Sequence, residues 1–417
     1  MSQTNASREP RRVVVTGLGA VTPIGTTVDS LWASVRESKC GVSALEGFPL
    51  EDLKILVAAQ IKDFDHRARL RHFQRDKIIM HADRYSWFAA AAADEAVRMA
   101  GLEIPVADPY RTACIIGSGA GGLVTYEKAY RDLFIENKRA THPLTLLRII
   151  GSSASAHVGI EFGIRGPTFA TCSACSTATH SIITARDYIA HGMVDVAIAG
   201  ASESVINYGT MKAWQALHVL SPEGCFPFAA KRNGTVLGEG AGILVLEDYE
   251  HAKKRGARIL AELKGTGMTS DAKDMVNPGI EGPREAMRLA IDEAGLDIGD
   301  IDYLSAHGTA TTINDRNETN AVKDLFGKKA YDLAISSTKS MHGHPLGAGG
   351  GIEAVLTIKA MLEQWVPPTI GLDEPDPECD LDYVPNHGRD AKVTYTMSNS
   401  FAFGGLNTVL VFGPDPS

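Results

Sequence analysis

The chain has 417 residues, 44% of them hydrophobic, and a formal net charge of −9. That length and apolar content support a large α/β core or two domains and exclude a disordered chain. The acidic balance excludes bulk attraction to nucleic acid or to an anionic membrane.

The opening MSQTNASREPRR has no apolar core for a secretory leader, and no uninterrupted apolar run approaches a membrane span. Six scattered cysteines suit a reducing compartment better than a disulfide scaffold, so a cytoplasmic protein without membrane insertion is expected. RRVVVTGLGAV predicts a buried strand over 13–16 running into a glycine turn. Residues 62–77 gather four arginines and two lysines, either a dock for an acidic partner or a solvated helix face. HADRYSWFAAAAADEAVRMAGL reads as a helix stopped at Gly101, and GPREAMRLAIDEAGL as another stopped at Gly295. TACIIGSGAGG, VDVAIAGASES, AGILVLED, IDYLSAHGT, LAISSTKS and NTVLVFG supply short apolar strands. Their alternation with helices predicts a layered α/β fold, with a faint suggestion of internal duplication.

TFATCSACSTATHSIITARDYIAHG reads as a strand followed by a helix whose stripe is Ala178, Ile182, Ala185 and Ile189, with Gly192 as its stop. Cys175 falls at the helix start, where backbone N–H groups and the dipole favour a thiolate and can lower its pKa below about 8.5. Cys172 and Cys175 have the spacing of a metal or redox pair. Zinc, however, needs about four ligands and the chain has no second CxxC, while a redox pair would sit in a much smaller domain. Two buried structural thiols remain the plain alternative until the histidines are considered. His307 ends a strand and precedes Gly308 and Thr309; His344 lies in a glycine-rich turn five residues after Lys339. Histidines beside glycines, at the carboxyl ends of strands, stand where a ligand can approach closely.

RRVVVTGLGAVTPIG, GSGAGG, ACSTATH, AHGTATTINDRNE, KSMHGHPLGAGG and NSFAFGGLN, in this order and nearly end to end, resemble a β-ketoacyl-[acyl carrier protein] synthase of the elongating type II kind. The resemblance implies a thiolase-like fold, two similar α/β halves in five αβαβα layers. Residues 1–255 would carry the nucleophile and 256–417 the histidines. Cys175 stands nine residues after Gly166 and five before His180, as the family nucleophile does, which leaves Cys172 without a role. The implied activity is decarboxylative condensation of malonyl-[acyl carrier protein] with an acyl-enzyme, in fatty acid elongation or in a polyketide-type pathway. Cys175 would be the nucleophile, and its backbone N–H with that of Phe403 the oxyanion hole; His307 and His344 would hold the extender carbonyl. Lys339 matches the family lysine near the second histidine, with Asp315 and Glu318 as its acidic partners; Lys339 with Asp315 could instead be a structural ion pair. Glu353 matches a further acid of structural role.

The resemblance also makes Phe403 an aromatic gate that swings on Gly404 and Gly405, and places Trp214 and Thr309 at the substrate. Ala120 falls at the floor of the acyl pocket, where a small residue implies long chains. No cofactor and no metal are implied. The implied partners are an acyl carrier protein and a second subunit, identical or paralogous. Phe226, Ala229, Asn233 and Thr235 replace an expected Arg, Asp, Asp and Phe, while Ala402 and Leu406 replace a Gly and a Thr. Three other readings compete with this one. Gly117, Gly119 and Gly122 satisfy the G-x-G-x-x-G of a nicotinamide-binding turn, although no strand ending in an acid follows at the required distance. A chain-length-factor-like subunit would lack the nucleophile that is present here, and against a thiolase or other superfamily relative using coenzyme A, the two-histidine pattern and the basic segment favour an acidic carrier protein.

Overall fold

Residues 10–416 are described in a computed structural model of the chain. The first nine residues, read above for a leader, lie outside the described residues. The first half contributes β1 (Val13–Val21), α1 (Arg84–Met99), β2 (Thr112–Gly117), α2 (Ser153–Phe162), β3 (Thr168–Phe169), α3 (Thr177–Ala190), β4 (Val196–Glu203) and β5 (Gly240–Asp248). The second half contributes β6 (Ala261–Ser270), α4 (Glu281–Ala294), β7 (Ile301–Ser305), α5 (Thr312–Phe326), β8 (Ala334–Ser336), α6 (Gly349–Glu363), β9 (Tyr395–Ala402) and β10 (Leu406–Gly413).

The two series follow one topology. Strand order is β3-β2-β4-β5-β1 in the first half and β8-β7-β9-β10-β6 in the second. In each, the three outer strands pair in parallel and the remaining two antiparallel. The halves meet edge to edge through β1 and β6, Val14 opposite Glu262 and Val15 opposite Ala261. Helix α1 covers β1, β5 and β4 from outside, and α4 covers β6 and β10. Helices α3 and α6 touch each other and pack between the halves, α6 reaching β5 on one side and β9 on the other. This is the five-layered thiolase-like arrangement.

The duplication extends to how sheet and outer helix touch. β1 does not turn at its glycines as expected but runs on to Val21. A Cβ on Gly17 or Gly19 would land on the carbonyl oxygens of Ala96 and Ala92 in α1; Gly265 and Gly267 of β6 meet those of Ala290 and Ala286 in α4 in the same way. Glycine on the strand and alanine on the helix let backbones pack without side chains between them. Ala178, Ile182, Ala185 and Ile189, the expected stripe of α3, are all fully buried. Gly101, Gly192 and Gly295 take positive φ of 64°, 73° and 65° at the helix ends, which only glycine adopts freely. Among the described residues no helix is long and apolar enough to cross a membrane.

Candidate active site

The duplication brings two equivalent helix starts together. Cys175 lies in the turn Ala174–Ser176 before α3, and His344 in the loop before α6. Ala174 holds φ at +48°, a conformation costly to a residue with a Cβ. Hydroxyl groups fix it: Ser176 Oγ donates to Leu406 O (2.7 Å) and Ser400 O (3.0 Å), and Thr177 Oγ1 donates to Ala174 O (2.7 Å).

Cys175 Sγ lies 3.1 Å from His344 Nε2, and the His307 ring stands nearly perpendicular to that of His344 at 5.5 Å between centroids. Their donor atoms all fall within 4.8 Å of one another, and among the described residues no further His, Cys or carboxylate joins them to complete a tetrahedral zinc set. Cys172 is exposed and directs its sulfur to Gly119 O at 3.5 Å, so the two cysteines do not act as a pair. The thiol departs from the expectation of a lowered pKa: burial pushes Cys175 up to about 12, only partly opposed by the Lys339 charge. Burial, reinforced by Lys339, holds both histidines well below 6.5. At neutral pH the resting site is therefore a neutral thiol facing neutral imidazoles.

Lys339, fully buried, donates to His307 O (2.7 Å), lies 3.5 Å from His307 Nδ1 and pairs with Glu353. An ammonium has only donors, so Nδ1 is the acceptor and the ring proton sits on Nε2. This corrects the expected pairing, because the partner is Glu353 rather than Asp315 or Glu318, and the histidine beside Lys339 is the first rather than the second. Asp315 instead accepts from Phe228 N (2.8 Å), Ala310 N (3.2 Å) and Asn314 Nδ2 (3.2 Å), with Arg232 Nε at 3.8 Å. Burial pushes Asp315 up to about 6. Glu318 accepts from the N–H groups of His307 and Gly308 (2.8 Å each) and from Asn399 Nδ2 (3.1 Å), fixing the loop that carries His307.

Cys175, His307, His344, Trp214, Thr309 and Phe403 line one cavity of about 260 Å³. Phe403 stacks on Trp214 at 5.7 Å, and Gly404 and Gly405 follow it at φ 81° and 67°. Asp271 latches this loop, donating its N–H to Gly405 O (2.9 Å) and accepting from Asn407 Nδ2 (2.8 Å). Ala120 does not line the cavity; it packs behind it, in the apolar cluster that holds Cys175, Leu346 and Ala402. Of the departures, Asn233, Thr235 and Ala402 line the cavity, whereas Phe226 packs elsewhere, under the Lys231 ammonium (4.4 Å). Ala229 is fully buried beside Pro375, and Leu406 offers its backbone oxygen to Ser176.

The glycines of GSGAGG surround protein rather than a dinucleotide. A Cβ on Gly117 would overlap Thr177, one on Gly119 would sit 2.8 Å from the carboxylate of Glu203, and one on Gly122 would overlap Arg148 O. Glu203, Asn399 and Arg232 are buried beside the site, and the sequence alone gives none of them a role. The one available signal for Glu203 was an acid closing an otherwise apolar strand.

Two family descriptions match the chain: Beta-ketoacyl synthase, N-terminal domain, over residues 10–252, and Beta-ketoacyl synthase, C-terminal domain, over 260–373. Nodulation protein E of Rhizobium meliloti (strain 1021) is 44% identical over 402 residues, covering 96% of this chain and 99% of that protein. The 3-oxoacyl-[acyl-carrier-protein] synthase 2 of Staphylococcus aureus (strain COL) is 41% identical over 409 residues, covering 96% and 98%. Among solved structures, the ishigamide ketosynthase/chain length factor superposes with a TM-score of 0.92 at 33% identity, covering 97% of this chain and 99% of that one. With one topology repeated in both halves, a buried cysteine facing two histidines, and such matches from end to end, the chain belongs to the beta-ketoacyl synthase family of condensing acyltransferases.

Proposed function

We propose that Cys175 carries the growing acyl chain and that His307 and His344 activate the extender in a decarboxylative Claisen condensation yielding a 3-oxoacyl thioester. The observation that carries this reading is the 3.1 Å approach of Cys175 to His344, with His307 across the same cavity. The Cys175 sulfur attacks the incoming acyl thioester, its proton leaves through His344 to the departing thiol, and the acyl-enzyme forms. The backbone N–H groups of Cys175 and Phe403 take the oxyanion. A malonyl thioester then enters. Its carboxylate leaves as carbon dioxide, and the electrons of that C–C bond pass into an enolate whose oxygen accepts from His307 Nε2–H and from His344. The enolate carbon attacks the acyl-enzyme, the C–S bond breaks, and Cys175 departs as the thiolate, which takes a proton from solvent. Lys339, paired with Glu353, sets the tautomer of His307 and is a positioning residue.

The thioesters are presented by an acyl carrier protein. In support, Arg67, Arg71, Arg75 and Lys77 of the basic segment are exposed, and only residues 66–69 of that segment form an α-helix. Carrier proteins are typically acidic, which favours them over coenzyme A at such a patch. Exposed Tyr126, Tyr130, Phe134, Ile135 and Leu146 form an apolar face that suits a second subunit, identical or paralogous. The likeness to a ketosynthase/chain length factor pair supports the paralogous case. A cytoplasmic location, a division of the chain near residue 255 and a preference for long acyl chains, from the small Ala120, belong to the same reading.

Incubation with acyl-carrier protein should add the acyl mass to the Cys175 peptide, and malonyl-carrier protein should then release carbon dioxide with chain extension. Cys175→Ala should do neither. An acyl adduct elsewhere on the chain, or none on the wild type, would overturn the assignment.

A further inference from the structure

Glu203 ends β4 fully buried, and the condensation chemistry leaves it without a task. Its Oε1 accepts from Ser118 Oγ (2.8 Å). Its Oε2 accepts from two backbone N–H groups, Gly119 (2.8 Å) and Gly347 (3.1 Å). These donors belong to different halves of the molecule. Gly119 lies in the loop after β2, next to Ala120 behind the cavity; Gly347 lies in the loop that begins with His344. The loops are pressed together at this point: a Cβ on Gly347 would stand 2.7 Å from both Glu203 Oε2 and Gly119 N, and one on Gly119 2.8 Å from Glu203 Oε2. The loops also share an apolar wall, where Ala120 and Leu346 pack in one cluster with Cys175. Leu346 sits at φ +42°, a conformation its own preferences oppose, so something outside the residue must hold the loop.

Resting on the condensing-enzyme reading, we propose that Glu203 is a positioning residue: one carboxylate fixes the Ala120 loop through Gly119 and the His344 loop through Gly347, holding together the apolar cluster behind the cavity and the catalytic histidine. Among the described residues no cation pairs with it. Its charge is held by hydrogen bonds alone, and burial pushes the carboxyl up to about 7. What the loops need is an acceptor able to take two N–H groups at one oxygen. A glutamine oxygen supplies that, and its amide group can donate to Ser118 Oγ by displacing the long contact from Ala120 N (3.4 Å) while the bond from Gly121 N (2.8 Å) stays. Alanine removes the acceptor and leaves both N–H groups buried without a partner.

The test compares wild type, Glu203→Ala, Glu203→Gln and the milder Ser118→Ala on two readouts: the length distribution of products made with acyl- and malonyl-carrier protein, and carbon dioxide released per acylated Cys175. Glu203→Ala is expected to shift product length and to slow release at least tenfold. Ser118→Ala should move both in the same direction by less, and it carries the test if the alanine variant fails to fold. Glu203→Gln should restore both to within about twofold of wild type. A purely structural role would lower soluble yield without changing product length per turnover. Unchanged lengths in Glu203→Ala and Ser118→Ala, or a Glu203→Gln variant as impaired as Glu203→Ala, would overturn the proposal. A wild type that releases no carbon dioxide would instead overturn the reading beneath it.

Discussion

Replacing Lys339 by methionine tests the electrostatic core of the site. Lys339 and Glu353 are 0% and 1% exposed; Glu353 Oε1 is paired with Lys339, and Oε2 has no partner. Without the ammonium, Glu353 must either stay ionised in a dry site, a loss of about 3–5 kcal/mol for a broken buried pair, or take up a proton. Protonation costs about 1.36 kcal/mol for each pH unit above ~4.3, hence about 3.7 kcal/mol at pH 7 and about 1.6 kcal/mol at pH 5.5. Burial already lifts the Glu353 carboxyl in the intact pair, so these figures are ceilings. The sign follows from proton counting. A folded carboxyl raised above its unfolded pKa binds more protons when folded, so the deficit against wild type grows as pH rises and shrinks as it falls. Urea unfolding of Lys339→Met at the two pH values should show this, and Lys339→Met combined with Glu353→Gln should recover most of the loss. Carbon dioxide release should fall by about 10²–10³ in both variants, because neither restores the donor that fixes the His307 tautomer. A deficit independent of pH, or a double variant no more stable than the single one, would refute the reasoning.

Three other outcomes follow from the geometry. Alkylation of Cys175 by iodoacetamide, read from its peptide mass, should rise about tenfold per pH unit from pH 7 to 9, since a thiol pushed up to about 12 is barely ionised there; a plateau by pH 8 would show a thiolate at rest. Gly17→Ala and Gly265→Ala should each cost about 1–3 kcal/mol or more in thermal or urea unfolding, because each Cβ is driven into a helix carbonyl; equal stability to wild type would mean that the helices shift freely. Ala120→Phe should shorten the products by crowding the apolar cluster that holds Cys175 and Leu346, and unchanged lengths would mean that the acyl chain does not reach that cluster.

The candidate site residues were legible because their surroundings are local. A cysteine at a helix start, histidines at strand ends and glycines beside them are patterns carried within a few positions of the chain. The ionic partners were not legible. Lys339 binds Glu353, fourteen positions later, although in sequence Asp315 and Glu318 are equally suitable acids. Glu203 was illegible for the same reason, since an acid at the end of an apolar strand is ordinary in sequence and its two loops meet only in the fold. The glycines of β1 were read as a turn because a strand's glycine and a turn's glycine look alike in one dimension; only the alanine helix laid against them shows which they are.

Composition and residue order by themselves determined the class of chain and the alternation of strands and helices, because short-range pattern governs secondary structure; ordered motifs spread along the chain carried the resemblance that singles out Cys175, His307 and His344 as candidates. Tertiary structure alone decided the resting charge of the site and the sharing of its acids. Burial sets proton affinity and long-range packing chooses partners, and neither quantity exists until two halves of one topology close over α3 and α6.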